Sequence, residues 1–163
     1  MHTSRGGFGR LDVFKDVMEL IPVAYVIFRR ENQILLQRRC GTGFMDGYWS
    51  SGAAGHVEAG ESVFHAACRE ALEELGVTVD PADLMPLTVL HRAPNRVDFF
   101  FQCTAWDGQP LLMEQDKSAD LRWFELEELP SAVVPHELRV FEQLLTGLPP
   151  IDSTGDFTPG AGR

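Results

Sequence analysis

Cysteine is scarce in this chain of 163 residues. Its three cysteines, Cys40, Cys68 and Cys103, are widely spaced and include no CxxC pair. A disulfide framework or a zinc site needs paired or clustered cysteines, so neither is expected here. We predict reduced thiols that pack as small apolar side chains.

Long apolar runs and basic residues are also few. The first twenty residues contain six charged side chains and no sustained apolar segment, which predicts neither a signal peptide nor a membrane span. The 14 basic residues are outnumbered by 24 acidic ones, and the formal net charge is −10. Such a chain lacks the basic surface that general nucleic-acid or anionic-membrane binding needs. We therefore expect a cytoplasmic protein with no nucleic-acid or membrane partner.

No internal repeat or low-complexity linker divides residues 10–148. The hydrophobic fraction of 44% and the charged fraction of 23% are ordinary for a globular protein. The length is sufficient for one core. These features predict a single domain at residues 1–148, followed by a tail, 149–163, whose glycine, proline and serine content predicts mobility.

The order of predicted elements indicates an α/β protein. β-Branched and aromatic runs predict strands, and helical spacing of apolar residues predicts two helices. The predicted strands cover residues 21–30, 32–39, 84–92, 96–106 and 121–126, and the helices follow Ser62 and cover 135–146. This order suggests a mixed sheet between two helices.

The first helix carries an unusual acidic cluster. Six apolar residues recur with the helical period and predict one buried stripe, namely Phe64, Ala67, Cys68, Ala71, Leu72 and Leu75. Ser62 is the predicted N-cap and Gly76 the predicted left-handed residue after the helix. Glu70, Glu73 and Glu74 share the opposite face, where like charges repel and the helix C-terminus disfavours anions. These two costs predict a cation beside the three glutamates.

The surrounding spacing identifies a known pattern. Residues 55–77 place Gly55, Glu61, Arg69-Glu70, Glu73-Glu74 and Gly76 in every fixed position of the Nudix box, so the chain resembles the Nudix hydrolase family. The resemblance implies the Nudix fold, an α/β/α sandwich with a mixed β-sheet and a box helix that carries the metal-binding glutamates. It also implies a pyrophosphohydrolase acting on phosphoric anhydride bonds.

The resemblance implies a ligand set for Mg²⁺ or Mn²⁺, which prefer hard oxygen ligands. Glu70 and Glu74 are the firmest implied ligands, with Glu73 a third and the Gly55 carbonyl a fourth. One glutamate can instead act as general base, and the sequence leaves open which one. Arg69 resembles the family arginine that orients a box glutamate, with Glu61 as its expected partner; a purely structural ion pair is the alternative.

Residues outside the box supply further candidates. Glu114 occupies the region of an additional family glutamate, with Asp116 as the alternative. Strand alternation sends Arg38 and Arg39 to opposite faces, so at most one should reach the phosphates. Phe44 and Tyr48 could stack on a base, although core packing is the commoner role of such residues.

One stretch departs from the family pattern. Ser51-Gly52-Ala53 stands where many members have Leu-Pro, which predicts a looser loop and a weaker Gly55 contact.

The implied reaction is hydrolysis of a nucleoside diphosphate linked to another moiety. The leading hypothesis is a nucleoside triphosphate, an oxidised one included, converted to monophosphate and pyrophosphate. Nucleotide sugars, ADP-ribose and dinucleoside polyphosphates stay open as substrates, and a catalytically silent nucleotide-sensing domain is the alternative from another class. The intact glutamate set favours catalysis. A homodimer stays open.

Overall fold

The strand β1, Ile21–Arg30, is the centre of the sheet in the computed structural model, which describes residues 16–157. Every residue from Val23 to Phe28 is buried. Alternate residues of β1 enter two different core clusters, one on each face of the sheet. A strand covered on both faces must be apolar throughout, which explains its uninterrupted hydrophobic run.

The remaining elements follow in chain order. They are β2 Gln33–Arg39, β3 Trp49–Ser51, β4 Ala53–His56, α1 Val63–Leu75, a 3₁₀ turn Pro81–Asp83, β5 Leu84–Arg92, β6 Arg96–Cys103, β7 Ser118–Glu125, α2 Pro135–Gln143 and β8 Ile151–Thr154.

The sheet is mixed. β1 pairs antiparallel with β4 and parallel with β6; β6 pairs antiparallel with β5, and β5 parallel with β8. A hairpin joins β1 to β2, which pairs antiparallel with β3 and β7. Helix α1 contributes Ala67, Ala71 and Leu75 to one core cluster, and α2 contributes Val140 and Phe141 to the other. The predicted α/β Nudix sandwich is confirmed.

Helix α1 buries smaller residues than the predicted stripe. Its buried residues are Ala66, Ala67, Ala71 and Leu75, whereas Leu72 is 55% exposed and Phe64 is 37% exposed, although the Phe64 ring still packs against Phe101 at 4.9 Å. Three alanines let the helix approach the sheet closely, so the larger side chains at the margins of the stripe remain partly in solvent.

The structure contains an element after residue 149 that the sequence did not predict. Ile151–Thr154 form β8 on the edge of the sheet. Pairing with β5 supplies backbone partners that composition alone does not reveal. The rest of the predicted tail, residues 158–163, lies outside the described residues, as do residues 1–15.

The three cysteines are free thiols. Within residues 16–157, no helix is long and apolar enough to cross a membrane.

Candidate active site

The ends of α1 are capped as predicted. The Ser62 hydroxyl accepts a hydrogen bond from the His65 N–H at 3.2 Å. Gly76 follows the helix at φ 68°, and its N–H donates to the Leu72 carbonyl at 3.0 Å. The helix therefore holds its glutamates on a fixed frame, with Glu73 and Glu74 in its last turn.

Glu70 lies directly against the backbone of β4. A β-carbon built on Gly55 would overlap the Glu70 carboxylate. Gly55 itself is held in the sheet opposite Ala24 of β1. The absence of a side chain at residue 55 is thus what allows the helix carboxylate to reach the strand.

Glu74 is inserted between the same strand and β2. Its Oε2 accepts from the Ala54 N–H at 2.9 Å and from Gln37 Nε2 at 3.3 Å. Burial, together with the charges of Glu70 and Glu114, raises the pKa of Glu74 to about 8. Burial also raises the pKa of Glu70, in spite of the opposing effect of Arg69.

Arg69 joins the loop before the helix to the glutamates. Its Nη2 and Nε donate to Glu61 Oε1 at 2.7 Å and Oε2 at 3.1 Å, which is a bidentate pair. Its Nη1 donates to Glu70 Oε1 at 2.7 Å, and Nη2 also donates to the His56 carbonyl at 3.0 Å. Hydrogen bonds from Arg69 and from the Glu58 N–H hold the pKa of Glu61 at about 2. The expected partnership of Arg69 and Glu61 is present.

Glu73 is placed differently from the other two helix glutamates. Its side chain is 50% exposed and lies 3.3 Å from Arg69 Nη1. Within the described part of the chain, no three His, Cys, Asp or Glu side chains form a ready-made metal cage. Glu70 and Glu74 therefore lie against the backbone of β4, whereas Glu73 lies in the exposed part of the cluster.

The donor set nevertheless fits a Mg²⁺-type ion. Burial raises the pKa values of Glu70 and Glu74, and the charges of neighbouring glutamates raise them as well. A cation bound beside the two carboxylates favours their charged forms and so offsets both effects. Carboxylate and carbonyl oxygens are the hard ligands such ions prefer, and Mg²⁺ usually completes its shell with waters and substrate phosphates. A site with protein carboxylates on one side and space for waters and phosphates on the other is therefore suited to Mg²⁺.

A cavity of about 300 Å³ begins beside Glu74. Gly55 and His56 line it next to this carboxylate. A second group of lining side chains comes from β1, β5, β6 and α2, namely Tyr25, Arg92, Arg96, His136 and Glu137. The cavity thus connects the acidic cluster to a polar chamber with both donors and acceptors.

The predicted arginine and aromatic candidates separate into two groups. Arg39 and Phe44 line the cavity, whereas Arg38 and Tyr48 do not. Arg39 donates from Nε to the Phe44 carbonyl at 2.8 Å, and its guanidinium carbon lies 5.5 Å from the Phe44 ring centre. Arg38 is exposed beside the Trp49 ring instead. Opposite orientation of neighbouring strand residues produces this division, as expected.

Glu114 lies near the acidic cluster and Asp116 does not contribute to it. The charge of Glu114 raises the pKa of both Glu70 and Glu74. Its backbone carbonyl accepts from Lys117 N and Ser118 N, which closes a turn ahead of β7. Asp116 is exposed on that turn.

The sequence did not predict the roles of Arg92 and Asp98, which form an ion pair beside the cavity. Arg92 Nε donates to Asp98 Oδ2 at 2.9 Å, and Asp98 is fully buried. Tyr25 Oη is 3.0 Å from His136 Nε2, and burial lowers the pKa of His136 to about 3. A charged residue inside the apolar run of β6 was the available signal for Asp98.

Glu137 is a second buried carboxylate, and it lines the cavity. Its Oε1 accepts from the Ser51 N–H at 2.8 Å and the Ser51 hydroxyl at 2.7 Å. Burial raises the pKa of Glu137 to about 7. Among the described residues, no hydrogen bond is found for its Oε2, so one acceptor is free toward the cavity that Glu137 lines.

The NUDIX domain family model matches residues 19–144. The chain belongs to the Nudix family. Its box is the segment 55–77, so the acidic cluster described above is the box cluster. The chain is accordingly an enzyme of the Nudix pyrophosphohydrolase type.

Curated relatives agree on the family and differ in their substrates. The chain is 32% identical over 68% of its length to an uncharacterized Nudix hydrolase of Listeria innocua, covering 67% of that protein. It is 30% identical over 69% of its length to an NAD-capped RNA hydrolase of Stutzerimonas stutzeri. An oxidized purine nucleoside triphosphate hydrolase of Danio rerio is 32% identical over 54% of the chain. The chain spans 39% and 56% of the lengths of these last two relatives.

A solved structure has the same fold. The MutT NUDIX hydrolase of Burkholderia pseudomallei superposes with a TM-score of 0.71 at 27% identity, and the match covers 77% of this chain and 98% of that one.

Proposed function

We propose that this protein is a Mg²⁺- or Mn²⁺-dependent pyrophosphohydrolase of nucleoside triphosphates, oxidised ones included, that releases a monophosphate and pyrophosphate. The observation that carries the proposal is the cavity of about 300 Å³, because it joins the box carboxylate Glu74 to polar side chains from β1, β5, β6 and α2. The name of the Danio rerio relative supports the same substrate class.

The box residues have distinct proposed roles. Glu70 and Glu74, with Glu73 and the Gly55 carbonyl, would hold the metal. When bound, the metal would neutralise phosphate charge and lower the pKa of a bound water. Arg69, fixed by Glu61, holds Glu70 by a charge-assisted hydrogen bond and so orients one carboxylate oxygen. Glu114 supplies a further carboxylate beside the cluster and, with the box glutamates, is a candidate for the general base.

The chamber would bind the nucleoside. Arg39 is placed to contact phosphate, and the exposed Phe44 ring offers a surface on which a base can stack. Arg92 and Arg96 offer donors in the cavity lining, and Glu137 Oε2 offers an acceptor. A base edge with both donors and acceptors matches this set. Arg38 and Tyr48, which lie outside the cavity lining, are assigned no contact with the substrate.

The remaining assignments concern the whole chain. We propose that residues 1–148 act as one catalytic domain in the cytoplasm on a small-molecule substrate. The net charge of −10 supports the absence of a nucleic-acid partner.

A hydrolysis screen tests the proposal. Wild type and Glu74→Gln are incubated with Mg²⁺ or Mn²⁺ and nucleoside triphosphates, 8-oxidised triphosphates, nucleotide sugars, ADP-ribose and dinucleoside polyphosphates, and products are separated by anion exchange. We expect wild type to convert a triphosphate to monophosphate and pyrophosphate. Preferred cleavage of a sugar or dinucleotide substrate would overturn the substrate assignment, and nucleotide binding without cleavage of any compound would favour the sensing alternative.

A further inference from the structure

Strand β8 is bonded to the end of β5 that leads into the substrate chamber. Its register runs from Val89 opposite Ile151 to Arg92 opposite Thr154. The Val89 N–H donates to the Pro150 carbonyl and the Ala93 N–H donates to the Thr154 carbonyl, each at 3.0 Å. The strand therefore supports the β5–β6 hairpin on which Arg92 and Arg96 stand.

The same strand is also bonded to α2. Arg139 donates from Nε to Asp152 Oδ2 at 2.8 Å and from Nη2 to Oδ1 at 3.1 Å. This paired geometry restricts orientation as well as distance. Helix α2 begins at Pro135, and its first turn supplies His136 and Glu137 to the chamber. One short segment thus contacts both the hairpin that carries Arg92 and Arg96 and the helix that carries His136 and Glu137.

Residues after β8 continue the contact. Gly155 has φ 98°, and a β-carbon there would lie 2.8 Å from the Ala93 Cβ. The Phe157 ring then packs on His91 at 4.6 Å between ring centres. The chain follows the hairpin closely as far as the described residues extend. The family match ends at residue 144, so these contacts lie outside the matched domain.

We propose that residues 149–157 form a strap that sets the separation between the hairpin and α2 beside the substrate cavity, with Asp152 as a positioning residue. Arg92 and Arg96 on the hairpin and Glu137 on α2 line the same cavity and must meet the same ligand. A small change in their separation weakens binding without altering the box carboxylates, which are held by Arg69, the Ala54 N–H and Gln37 and not by the strap.

The strap's effect on substrate rests on the proposed function and is measured as steady-state kinetics with the preferred substrate from the screen. Asp152→Asn should raise KM about two- to five-fold, as expected for loss of one exposed ion pair, and leave kcat within about two-fold. Asp120→Asn is the matched control, because it breaks the similarly exposed pair with Arg122 outside the cavity. The exchanged pair Arg139→Asp with Asp152→Arg should restore KM.

A positioning role predicts this split between KM and kcat, and a purely structural role does not. Equal KM for wild type and Asp152→Asn would overturn the proposal, as would a rise that the exchanged pair fails to reverse.

Hydrogen exchange of the same full-length variants, without substrate, gives an independent measurement. Asp152→Asn should accelerate exchange at residues 92–97 and 135–138 about three-fold and leave α1 unchanged. Acceleration confined to residues 149–157 would overturn the strap. If wild type cleaves no nucleotide, the proposed function fails while this measurement still decides the strap.

Discussion

The carboxylate of Glu70 fills the space that a side chain at residue 55 would occupy. Two positions of the Nudix box that are fifteen residues apart in sequence are therefore one packing unit. Gly55 is not in the left-handed region of φ, so its requirement is for space rather than for backbone freedom. This contact explains why the box needs glycine before its helix.

Gly55→Ala should disturb the unit from the strand side. The added methyl group must displace Glu70, so we expect a loss of about 1–3 kcal/mol in the free energy of unfolding and at least a ten-fold fall in hydrolysis rate, about the cost of a misplaced reacting group. Chemical denaturation and steady-state rates measure both. In a Glu70→Ala background the stability cost of Gly55→Ala should shrink, because the two side chains no longer compete. An equal stability cost of Gly55→Ala in the wild-type and Glu70→Ala backgrounds would contradict the contact between residue 55 and Glu70.

Arg69→Lys should separate charge from geometry. Lysine keeps the positive charge but cannot span both Glu61 oxygens and Glu70 together. We expect a fall in kcat of about ten-fold, typical of a lost contact that orients a metal ligand, and a lower midpoint of thermal unfolding. Arg122→Lys, in the exposed pair with Asp120, is the control and should match wild type. Full activity of Arg69→Lys would show that only its charge matters.

Glu137→Gln should change how stability depends on pH. Glu137 has a pKa of about 7 in the folded protein, above about 4.3 in the unfolded chain. The folded state therefore binds the proton more tightly, and this group makes stability fall as pH rises through that window. Glutamine, which cannot ionise, keeps an acceptor for Ser51. We expect the free energy of unfolding of the variant, relative to wild type, to increase from pH 5 to pH 8, about the window between those two pKa values. Denaturation curves at several pH values measure this difference. The same pH dependence of stability in both proteins would contradict a raised pKa of Glu137.

Glu114 and Asp116 can be told apart by neutral substitution. Glu114 influences the charges of Glu70 and Glu74, and Asp116 is exposed on the same turn. Glu114→Gln should lower kcat by about ten-fold or more, a usual effect of removing a group that assists proton transfer. Asp116→Asn should leave kcat unchanged within error. The reverse pattern would move the assignment to Asp116.

Local chemistry explains which parts of the structure could be predicted. The caps Ser62 and Gly76 depend on residues close in sequence, so spacing indicated them. The pair Arg69–Glu61 was expected from the resemblance to the Nudix box. The cavity residues Arg96 and Glu137 come together only when β6 and α2 pack against β1. The strand β8 depends on a free edge of β5, which residues 149–157 do not encode by themselves. Contacts that depend on long-range packing were therefore not predicted from the sequence.

Glu74 is the residue on which the proposed function depends most. It serves catalysis, and it lowers the stability of the protein when no metal is bound. Its burial beside Glu70 and Glu114 raises its pKa to about 8, so removal of its ionisable group should not destabilise the protein. The most direct test measures triphosphate hydrolysis by wild type and Glu74→Gln over a Mg²⁺ titration, with unfolding measured in parallel without metal. We predict that Glu74→Gln is at least as stable as wild type and loses activity by about 100-fold or more, as expected for a metal ligand. A variant that hydrolyses the triphosphate at the wild-type rate with the same Mg²⁺ dependence would contradict the account.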